Sequence, residues 1–253
     1  MRTPHITWIV AALVVAVAGS AALADWMPGD SYKMHYPQLP DMTGWDVRAT
    51  YYTGLADDFQ CTRTGPITDF HIWTSYKGDL MVLPTDVEFI HTAIYADVPA
   101  GPGVHSRPGA RRWHPAWKLD PAIGTFTVRD WGTGDQGWFD PLAGIVLEED
   151  HTQVQQWNFY IDPLEAFVQN EGMIYWLEIS FKLTPAAIEA GKRIGWKTSK
   201  DHWNDDAVYR EIVEGGDIVW HELRDPLTNE SLDLAFVITP EPMTLSLLAL
   251  GGL

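Results

Sequence analysis

The chain has 253 residues and carries 34 acidic against 17 basic side chains, which gives a formal net charge of −17. A surface this acidic repels nucleic-acid phosphates and anionic lipid headgroups, so we expect no nucleic-acid partner. The single cysteine, Cys61, excludes a disulfide within the chain, while the 13 Trp supply apolar surface for a large core.

The N-terminus has the three parts of a secretory signal peptide. Arg2 gives a positive start, residues 9–18 are nearly all apolar, and Ala22 and Ala24 form an Ala-x-Ala cleavage site. We therefore expect a signal peptide over residues 1–24 and export of the remaining chain. An N-terminal membrane anchor is the less favoured alternative, because the apolar stretch is short for a membrane span.

Residues 25–239 are predicted to form a single β-rich domain. Apolar and polar side chains alternate over short runs, as in half-buried strands, and Gly- and Pro-rich turns, including one predicted at residues 132–137, separate the runs. The strand candidates span residues 46–52, 56–61, 67–76, 87–96, 111–118, 126–131, 155–161, 173–181, 194–198, 218–223 and 232–238. This pattern predicts an all-β fold, an antiparallel two-sheet β-sandwich of jelly-roll-like topology with about 9–11 strands and at most one or two short helices.

Two neighbouring segments give more detailed predictions, one for a strand and one for a short helix. Strand candidate 173–181 places its odd-numbered apolar side chains on one face, and we expect a second layer to cover Trp176 on the other face. A short helix is predicted next, with Thr184 as its N-cap, Pro185 at its first position and Gly191 after its end.

Asp57 and Asp58 are adjacent in a predicted strand, so their side chains should point to opposite faces of the sheet. One should face solvent or a loop, and the other should point inward, where a carboxylate needs hydrogen bonds or a cation. Both residues are candidate calcium ligands. The favoured alternative is that they cap neighbouring backbone amides.

The densest polar cluster is the segment 201–206, which offers oxygen ligands of the kind that calcium prefers. Its candidate calcium ligands are Asp201, Asn204, Asp205 and Asp206. The segment is not an EF-hand loop, because Trp203 occupies its third position and no glycine its sixth. Two alternatives stay open, a calcium loop of another type and an Asx-rich turn without an ion.

Aromatic rings are a further resource, since exposed Trp side chains stack on sugar rings. The candidate platforms for polysaccharide are Trp113 with Trp117, and Trp131 with Trp138 on either side of a glycine-rich segment. The alternative is that these rings belong to the core. The glycines match a dinucleotide-binding pattern, but no helix is predicted after them, so we expect no cofactor there.

The sequence contains no motif for a catalytic nucleophile or a zinc site. The nine His are scattered, and neither H-E-x-x-H nor G-x-S-x-G occurs. The carboxylate pair of a glycoside hydrolase is defined by a spacing that only tertiary structure sets. We therefore expect a non-enzymatic protein and keep a carbohydrate-active hydrolase as the alternative.

The C-terminal tail, residues 240–253, joins Pro240, Glu241 and Pro242 to the apolar run 243–253. It resembles the PEP-CTERM signal of exported bacterial proteins, and this resemblance implies an exosortase-type sorting machinery as partner and transient membrane insertion of the tail. The run is shorter than the roughly 20 apolar residues that span a bilayer, and no Arg/Lys cluster follows it. We therefore expect an incomplete signal, either truncated or degenerate.

Two motifs stand out within the predicted strands, A-D-D-F at residues 56–59 and I-T-D-F-H-I-W at residues 67–73. They resemble the opening of an uncharacterised β-rich domain in exported proteins of planctomycetes and related bacteria. Further similar segments lie at residues 106–109, 158–161, 174–177 and 195–207. The resemblance implies an exported location, a jelly-roll-like sandwich and no established activity, so it assigns no catalytic residue.

These features predict an exported, envelope-sorted, non-enzymatic β-sandwich protein with a structural or adhesive role in the extracellular matrix. Exopolysaccharide is the expected ligand. Two alternatives stay open: a carbohydrate-active hydrolase with an unidentified carboxylate pair, and a calcium-stabilised module.

Overall fold

The computed structural model describes residues 25–117 and 124–240, and β-strands dominate both segments. The strands are β1 Trp45–Arg48, β2 Leu55–Gln60, β3 Gly65–Pro66, β4 Asp69–Tyr76, β5 Val87–Val98, β6 Arg107–Trp113, β7 Ala116–Trp117, β8 Gly124–Asp140, β9 Ile145–Ile161, β10 Val168–Gln169, β11 Ile174–Leu183, β12 Ile194–Ser199, β13 Val208–Ile212, β14 Ile218–Glu222, β15 Asp233–Leu234 and β16 Phe236–Ile238. The predicted all-β class is confirmed.

The α-helix that was predicted from the sequence is present as α1, Pro185–Glu189. Thr184 caps it, since its side chain accepts a hydrogen bond from the backbone N–H of Ala187 at 3.3 Å. Gly191 follows with φ = +81°, a left-handed conformation that glycine adopts without strain. Two single 3-10 turns, Lys77–Asp79 and Pro84–Asp86, lie between β4 and β5.

The first sheet closes into a small barrel. Its order is β15-β12-β1-β8-β9-β4-β16, and β12 also pairs with β4. Strands β12, β1, β8, β9 and β4 therefore form a closed ring, in which β1 and β8 run parallel and the other pairs antiparallel. Closure removes the exposed edges that an open sheet would leave at these strands.

The predicted turn at residues 132–137 is instead part of a long strand. Strand β8 runs through this segment and pairs with β9 in a hairpin whose two strands have 17 residues each, with three register shifts. Its glycines serve close packing, because a Cβ atom at Gly134 would collide with the Met42 carbonyl and one at Gly137 with the Trp45 ring. The glycine pattern therefore lies inside a bulged strand and does not open a helix.

The second sheet has the order β14-β13-β2-β11-β5-β6, with β7 also paired to β5, and a separate two-stranded sheet joins β10 to β3. The second sheet is curled, so that its two edge strands, β6 and β14, approach each other. The contact is made by His105, which comes shortly before β6. The ring nitrogen Nε2 of His105 lies 3.1 Å from the backbone oxygen of Trp220.

The main core is built from side chains of both sheets. Trp157 on β9 meets Phe181 on β11 with ring centroids 5.1 Å apart, and Phe59 on β2 meets Phe236 on β16 at 6.1 Å. All four side chains are buried. Each large apolar side chain buried in this way stabilises the fold by about 1.5–3 kcal/mol.

The opposite face of the second sheet is also covered, as the sequence predicted for Trp176. That ring is fully buried in a smaller cluster with Ala56, Ala93, Tyr95, Val208 and Trp220. Beside this cluster, the Glu178 carboxylate accepts a hydrogen bond from the Tyr95 hydroxyl at 2.6 Å and pairs with Arg210 at 3.0 Å.

The interior of the barrel is polar and charged. Asp46 Oδ2 lies 2.9 Å from both Lys197 Nζ and His151 Nε2, and all three side chains are fully buried. Gly195 leaves room for this network, because a Cβ atom there would come within 2.9 Å of Asp46 and 3.0 Å of the Trp138 ring. Burial lowers the pKa of His151, but the neighbouring Asp46 and Asp150 outweigh it and leave that pKa raised.

The finer predictions about architecture have different outcomes. The sheets are curled and one closes into a barrel, so the jelly-roll-like sandwich stays a prediction. Among the described residues no helix is both long and apolar enough to span a bilayer. The predicted signal peptide with Ala22 and Ala24, and the tail residues from Glu241 onward, lie outside the described residues. Pro240 is described and is half-buried.

Candidate functional site

The structure brings together the two acidic segments that the sequence analysis treated separately. Asn204, from the 201–206 loop, donates through Nδ2 to Asp58 Oδ2 at 2.6 Å and to Asp205 Oδ2 at 2.8 Å. Asp58 is fully buried, whereas Asn204 is exposed and adopts a left-handed φ of +59°. One amide group therefore bridges a buried carboxylate on β2 and a carboxylate on the surface loop.

Asp57 points to the other face of β2, as the alternation of a strand requires. Its Oδ2 accepts hydrogen bonds from Gln38 Nε2 at 2.9 Å and from the Leu234 backbone at 2.7 Å, and its Oδ1 accepts from the Asp58 backbone at 2.8 Å. Asp57 is fully buried. It thus caps backbone amides, which was the favoured alternative for this pair of residues.

Asp233 completes the buried group and was missed by the sequence analysis. Its Oδ1 lies 2.7 Å from His202 Nδ1, and its Oδ2 accepts from the Trp203 backbone at 2.7 Å and from Gln38 Nε2 at 3.4 Å. Gln38 therefore donates to both Asp57 and Asp233. No motif marks Asp233, because it comes from a two-residue strand far along the chain.

Burial and mutual repulsion make the ionised form of these carboxylates unfavourable. Burial and the charge of Asp57 raise the pKa of Asp58 to about 9, although the Asn204 hydrogen bond opposes the shift. Burial likewise raises the pKa of Asp233 to about 8, with Asp58 among the neighbours that add to it. The pKa of Asp57 is raised by burial and by Asp233. The group must therefore keep protons at neutral pH or gain a positive charge from elsewhere.

We call Asp57, Asp58, Asp97, Asp205 and Asp233 the aspartate cluster. Asp97, also missed by the sequence analysis, is half-buried on β5 and accepts a hydrogen bond from Trp176 Nε1 at 2.9 Å. Burial, and to a lesser extent the charge of Asp205, raises the pKa of Asp97. The charge of Asp97 in turn contributes to the raised pKa of Asp58.

The other two predicted calcium ligands have different partners. Asp201 Oδ2 accepts from the Leu39 backbone at 3.0 Å. Asp206 pairs with Arg224 at 2.6 Å and also accepts a hydrogen bond from the Ser231 hydroxyl. In the segments 25–117 and 124–240, no three His, Cys, Asp or Glu side chains are arranged to hold a metal ion as they stand.

A polar cleft of about 600 Å³ lies next to the aspartate cluster, and we call it the acidic cleft. Its lining carboxyl residues are Asp41, Asp135, Glu148, Glu149, Asp225, Glu230 and Asp233, and its hydroxyl residues are Thr43, Thr198, Ser199 and Ser231. Lys200 is the one lysine among its described lining residues, and its Nζ pairs with Asp41 at 3.0 Å. Trp45 contributes an indole N–H, which donates to Asp225 at 2.7 Å.

The acidic cleft also contains a contact between Ser231 and His202 that no sequence motif indicated. The Ser231 hydroxyl oxygen lies 3.4 Å from both ring nitrogens of His202, so it is aligned with neither, and it donates instead to Asp206. A serine nucleophile needs a hydrogen bond to one nitrogen of its base. This arrangement therefore does not activate Ser231.

Trp131 and Trp138 do not form an exposed platform, and the pair Trp113 and Trp117 stays a prediction. Trp138 is buried inside the barrel, and Trp131 packs edge-on against Trp73 with ring centroids 5.0 Å apart. Trp113 is half-buried and donates to the Glu165 carbonyl at 2.7 Å. The backbone of Trp117 belongs to β7, and its side chain lies outside the described part of the structure.

The fold and the site define an all-β protein with a barrel sheet, a second curled sheet and an acidic cleft beside buried aspartates. Over residues 34–239 the chain matches the family described as "Domain of unknown function (DUF7901)". Because this match covers most of its length, the chain belongs to that family. No curated protein matches the chain, and no solved structure matches it either. Its function therefore has to be argued from the site.

Proposed function

We propose that this chain is an exported, non-enzymatic β-rich module that binds polysaccharide in the acidic cleft and has a structural or adhesive role outside the cell. The observation that carries the proposal is the cleft itself, a polar concavity of about 600 Å³. Its volume is in the range of small-ligand pockets. Carboxylates and hydroxyls together offer the acceptors and donors that sugar hydroxyls need.

The charge of the cleft narrows the class of glycan. Seven carboxyl residues and one lysine line it among the described residues. Electrostatic complementarity therefore favours neutral or amine-bearing sugars and disfavours polyuronates and sulfated glycans. A glucosamine oligosaccharide with free amines fits this lining best.

The sorting part of the proposal rests on sequence. The signal peptide over residues 1–24, with Ala22 and Ala24 at its cleavage site, and the PEP-CTERM-like tail over residues 240–253 support export and envelope sorting. In this proposal an exosortase-type enzyme recognises Pro240, Glu241 and Pro242, and the apolar tail enters the membrane transiently. We also propose that residues 25–239 are related to jelly-roll-like sandwiches and belong to the exported domains that share the A-D-D-F motif.

A carbohydrate-active hydrolase is the second candidate, because two carboxyl groups in the cleft have pKa values shifted apart. Burial raises the pKa of Asp233 to about 8, whereas hydrogen bonds from Thr228, Trp45 and Leu227 outweigh burial at Asp225 and lower its pKa. Divergent carboxyl pairs are typical of glycosidases. However, the Asp233 side chain is fully buried, so it is not presented to a substrate in the cleft.

Glycan binding tests this proposal directly. Titrations of the purified protein with glucosamine, N-acetylglucosamine and polyuronate oligomers should rank affinity in that order. Glu148 and Glu149 are exposed at the cleft, so replacing both by Gln should weaken glucosamine binding about tenfold through loss of charge attraction. The matched control changes the exposed residues Glu88 and Glu189 to Gln and should leave affinity unchanged.

Two results would overturn the proposal in different ways. Absence of binding to all three glycan classes removes the polysaccharide function. Release of reducing sugar ends, abolished by Asp225→Asn, replaces the binding module with the hydrolase.

A further inference from the structure

We propose that a small pocket beside α1 binds an aromatic carboxylate, an organic anion with a single ring. The pocket has a volume of about 140 Å³ and lies where the segment after β1, the end of β11 and helix α1 meet. We call it the cationic pocket, because Arg48, Lys182 and Arg193 belong to its lining. Among the described residues it shares no lining residue with the acidic cleft, so its ligand is independent of glycan binding.

The size of the cationic pocket limits its ligand to one ring. Pockets for drug-sized ligands have volumes of about 300–1,000 Å³, whereas this pocket has about 140 Å³. An engineered apolar cavity of about 150 Å³ holds one benzene molecule. A six-membered ring therefore fits the cationic pocket, and an oligosaccharide chain does not.

The walls of the pocket suit an aromatic ring. Phe181 and Leu183 on β11 are buried and contribute apolar surface. Tyr51 and Tyr52 form an edge-on pair with ring centroids 5.5 Å apart, and the exposed Ile188 of α1 completes the apolar lining. Such side chains gain contact energy from a ligand that is itself apolar or aromatic. A strongly hydrated inorganic anion gains nothing from these walls, because it would lose its water there.

The cations of the pocket lack the carboxylate partners that this chain has in excess. The chain has 34 acidic and 17 basic side chains, yet none of the described residues that line the pocket is acidic. Within the described segments, neither Lys182 nor Arg193 forms an ion pair with Asp or Glu. An anion that enters the pocket therefore meets positive charge that the protein does not neutralise.

Two of these cations are held in place by uncharged groups. Arg193 donates through Nη1 to the backbone oxygens of Ile188 at 3.2 Å and Lys192 at 2.6 Å. Lys182 Nζ lies 5.6 Å from the centroid of the Tyr52 ring, in a cation–π contact. Both contacts position a cation without cancelling its charge.

Arg48 differs from the other two, because it has a carboxylate partner. Its Nη1 pairs with Asp140 at 2.6 Å, while its Nε has no hydrogen-bond partner in the described part of the chain. One of the three positive charges is thus balanced, and two are left for a ligand. A ligand carboxylate accepts hydrogen bonds at both of its oxygens, so it can be shared between two cations.

Titration of the full-length protein at low ionic strength, followed by ligand-observed NMR, tests the pocket with benzoate as the probe. Benzamide has the same ring without the charge, and acetate has the charge without the ring. Each should bind at least tenfold more weakly than benzoate, because the pocket supplies both apolar contact and charge attraction. Absence of benzoate binding, or equal affinity for benzamide or acetate, would overturn the inference.

A charge-removing variant locates the binding. Lys182→Met keeps an apolar side chain but removes one cation, so benzoate affinity should fall about fivefold while benzamide binding stays unchanged. The matched control is Arg112→Met, which removes one positive charge from an exposed position on β6 outside the pocket lining. It should leave benzoate affinity within about twofold of the parent value. Equal losses in the two variants would indicate only long-range attraction and would overturn the assigned site.

The design does not depend on the folding of a variant. The three probes are compared on the unmodified protein, and benzamide reports whether the pocket of Lys182→Met is intact. A second variant, Ile188→Ala on the exposed side of α1, should weaken benzoate and benzamide by the same factor, since it removes apolar contact and no charge. A loss confined to benzoate in this variant would contradict the proposed placement of the ring.

Discussion

The barrel interior and the aspartate cluster both bury carboxylates, but they balance the charge differently. In the barrel, Asp46 Oδ2 lies 2.9 Å from Lys197 and from His151 within one closed network. In the cluster, Asp58 accepts a hydrogen bond from the Asn204 amide, and no Lys or Arg of the described residues pairs with it. A buried charge that carries its own counter-charge is structural, whereas one without it indicates a ligand or a retained proton.

The largest expected effect comes from breaking the balance in the barrel. Lys197→Met should lower the free energy of unfolding by about 3–5 kcal/mol, because it leaves the buried Asp46 with only His151. Urea denaturation measures the change. The double variant Asp46→Asn with Lys197→Met should recover more than half of the loss. A single variant as stable as the parent protein would show that the ion pair does not stabilise the barrel.

The second prediction concerns the dependence of stability on pH. The folded-state pKa is about 9 for Asp58 and about 8 for Asp69 and Asp233, against an ordinary value of 3.8. The folded chain therefore keeps protons that the unfolded chain has released, and stability is lost as pH rises towards these values. Below pH 6.5 the lowered pKa values of His35 (about 3) and His71 (about 4) act in the opposite direction.

From pH 6.5 to 8, the proton retained by Asp58 should by itself lower the free energy of unfolding by about 2 kcal/mol, and Asp69 and Asp233 should add to this fall. Urea denaturation at four pH values across this window provides the measurement. Stability that stays constant or rises over this interval would contradict the raised pKa values.

The smallest effect tests the comparison most directly. At pH 8, Asp58→Asn should raise the free energy of unfolding by about 1–2 kcal/mol, because it removes a carboxyl group that is hard to ionise in the folded state. Asp46→Asn in the barrel should have the opposite sign, since it removes the partner of Lys197. If both variants destabilise the protein to the same degree, the two regions do not differ in the way described.

Local chemistry made some features predictable and left others open. The Thr184–Pro185 start of α1 and the buried side of Trp176 follow from capping and alternation, which involve neighbours in sequence. The run of glycines from Gly132 was misread as a turn. Its close contacts with Met42 and Trp45 come from a distant segment, and no local rule reports them.

The site shows the same division. Adjacent acidic residues marked Asp57, Asp58 and the 201–206 loop as candidates. The hydrogen bond from Asn204 to Asp58 was not predictable, because it joins positions 146 residues apart. Asp97 and Asp233 gave no signal, because each is a single aspartate in a strand. Their roles depend on sheet register and on burial, which long-range strand pairing sets.

By itself the sequence determined the strand-rich character of this chain, its acidic surface, the short helix and the candidate acidic segments, since composition and local periodicity carry that information. Only the tertiary structure decided that the first sheet closes as a barrel, that one set of buried carboxylates finds Lys197 and that the other set meets at Asn204. The physical reason is that barrel closure and charge pairing arise between residues far apart in sequence, and their energy depends on burial that no local pattern encodes.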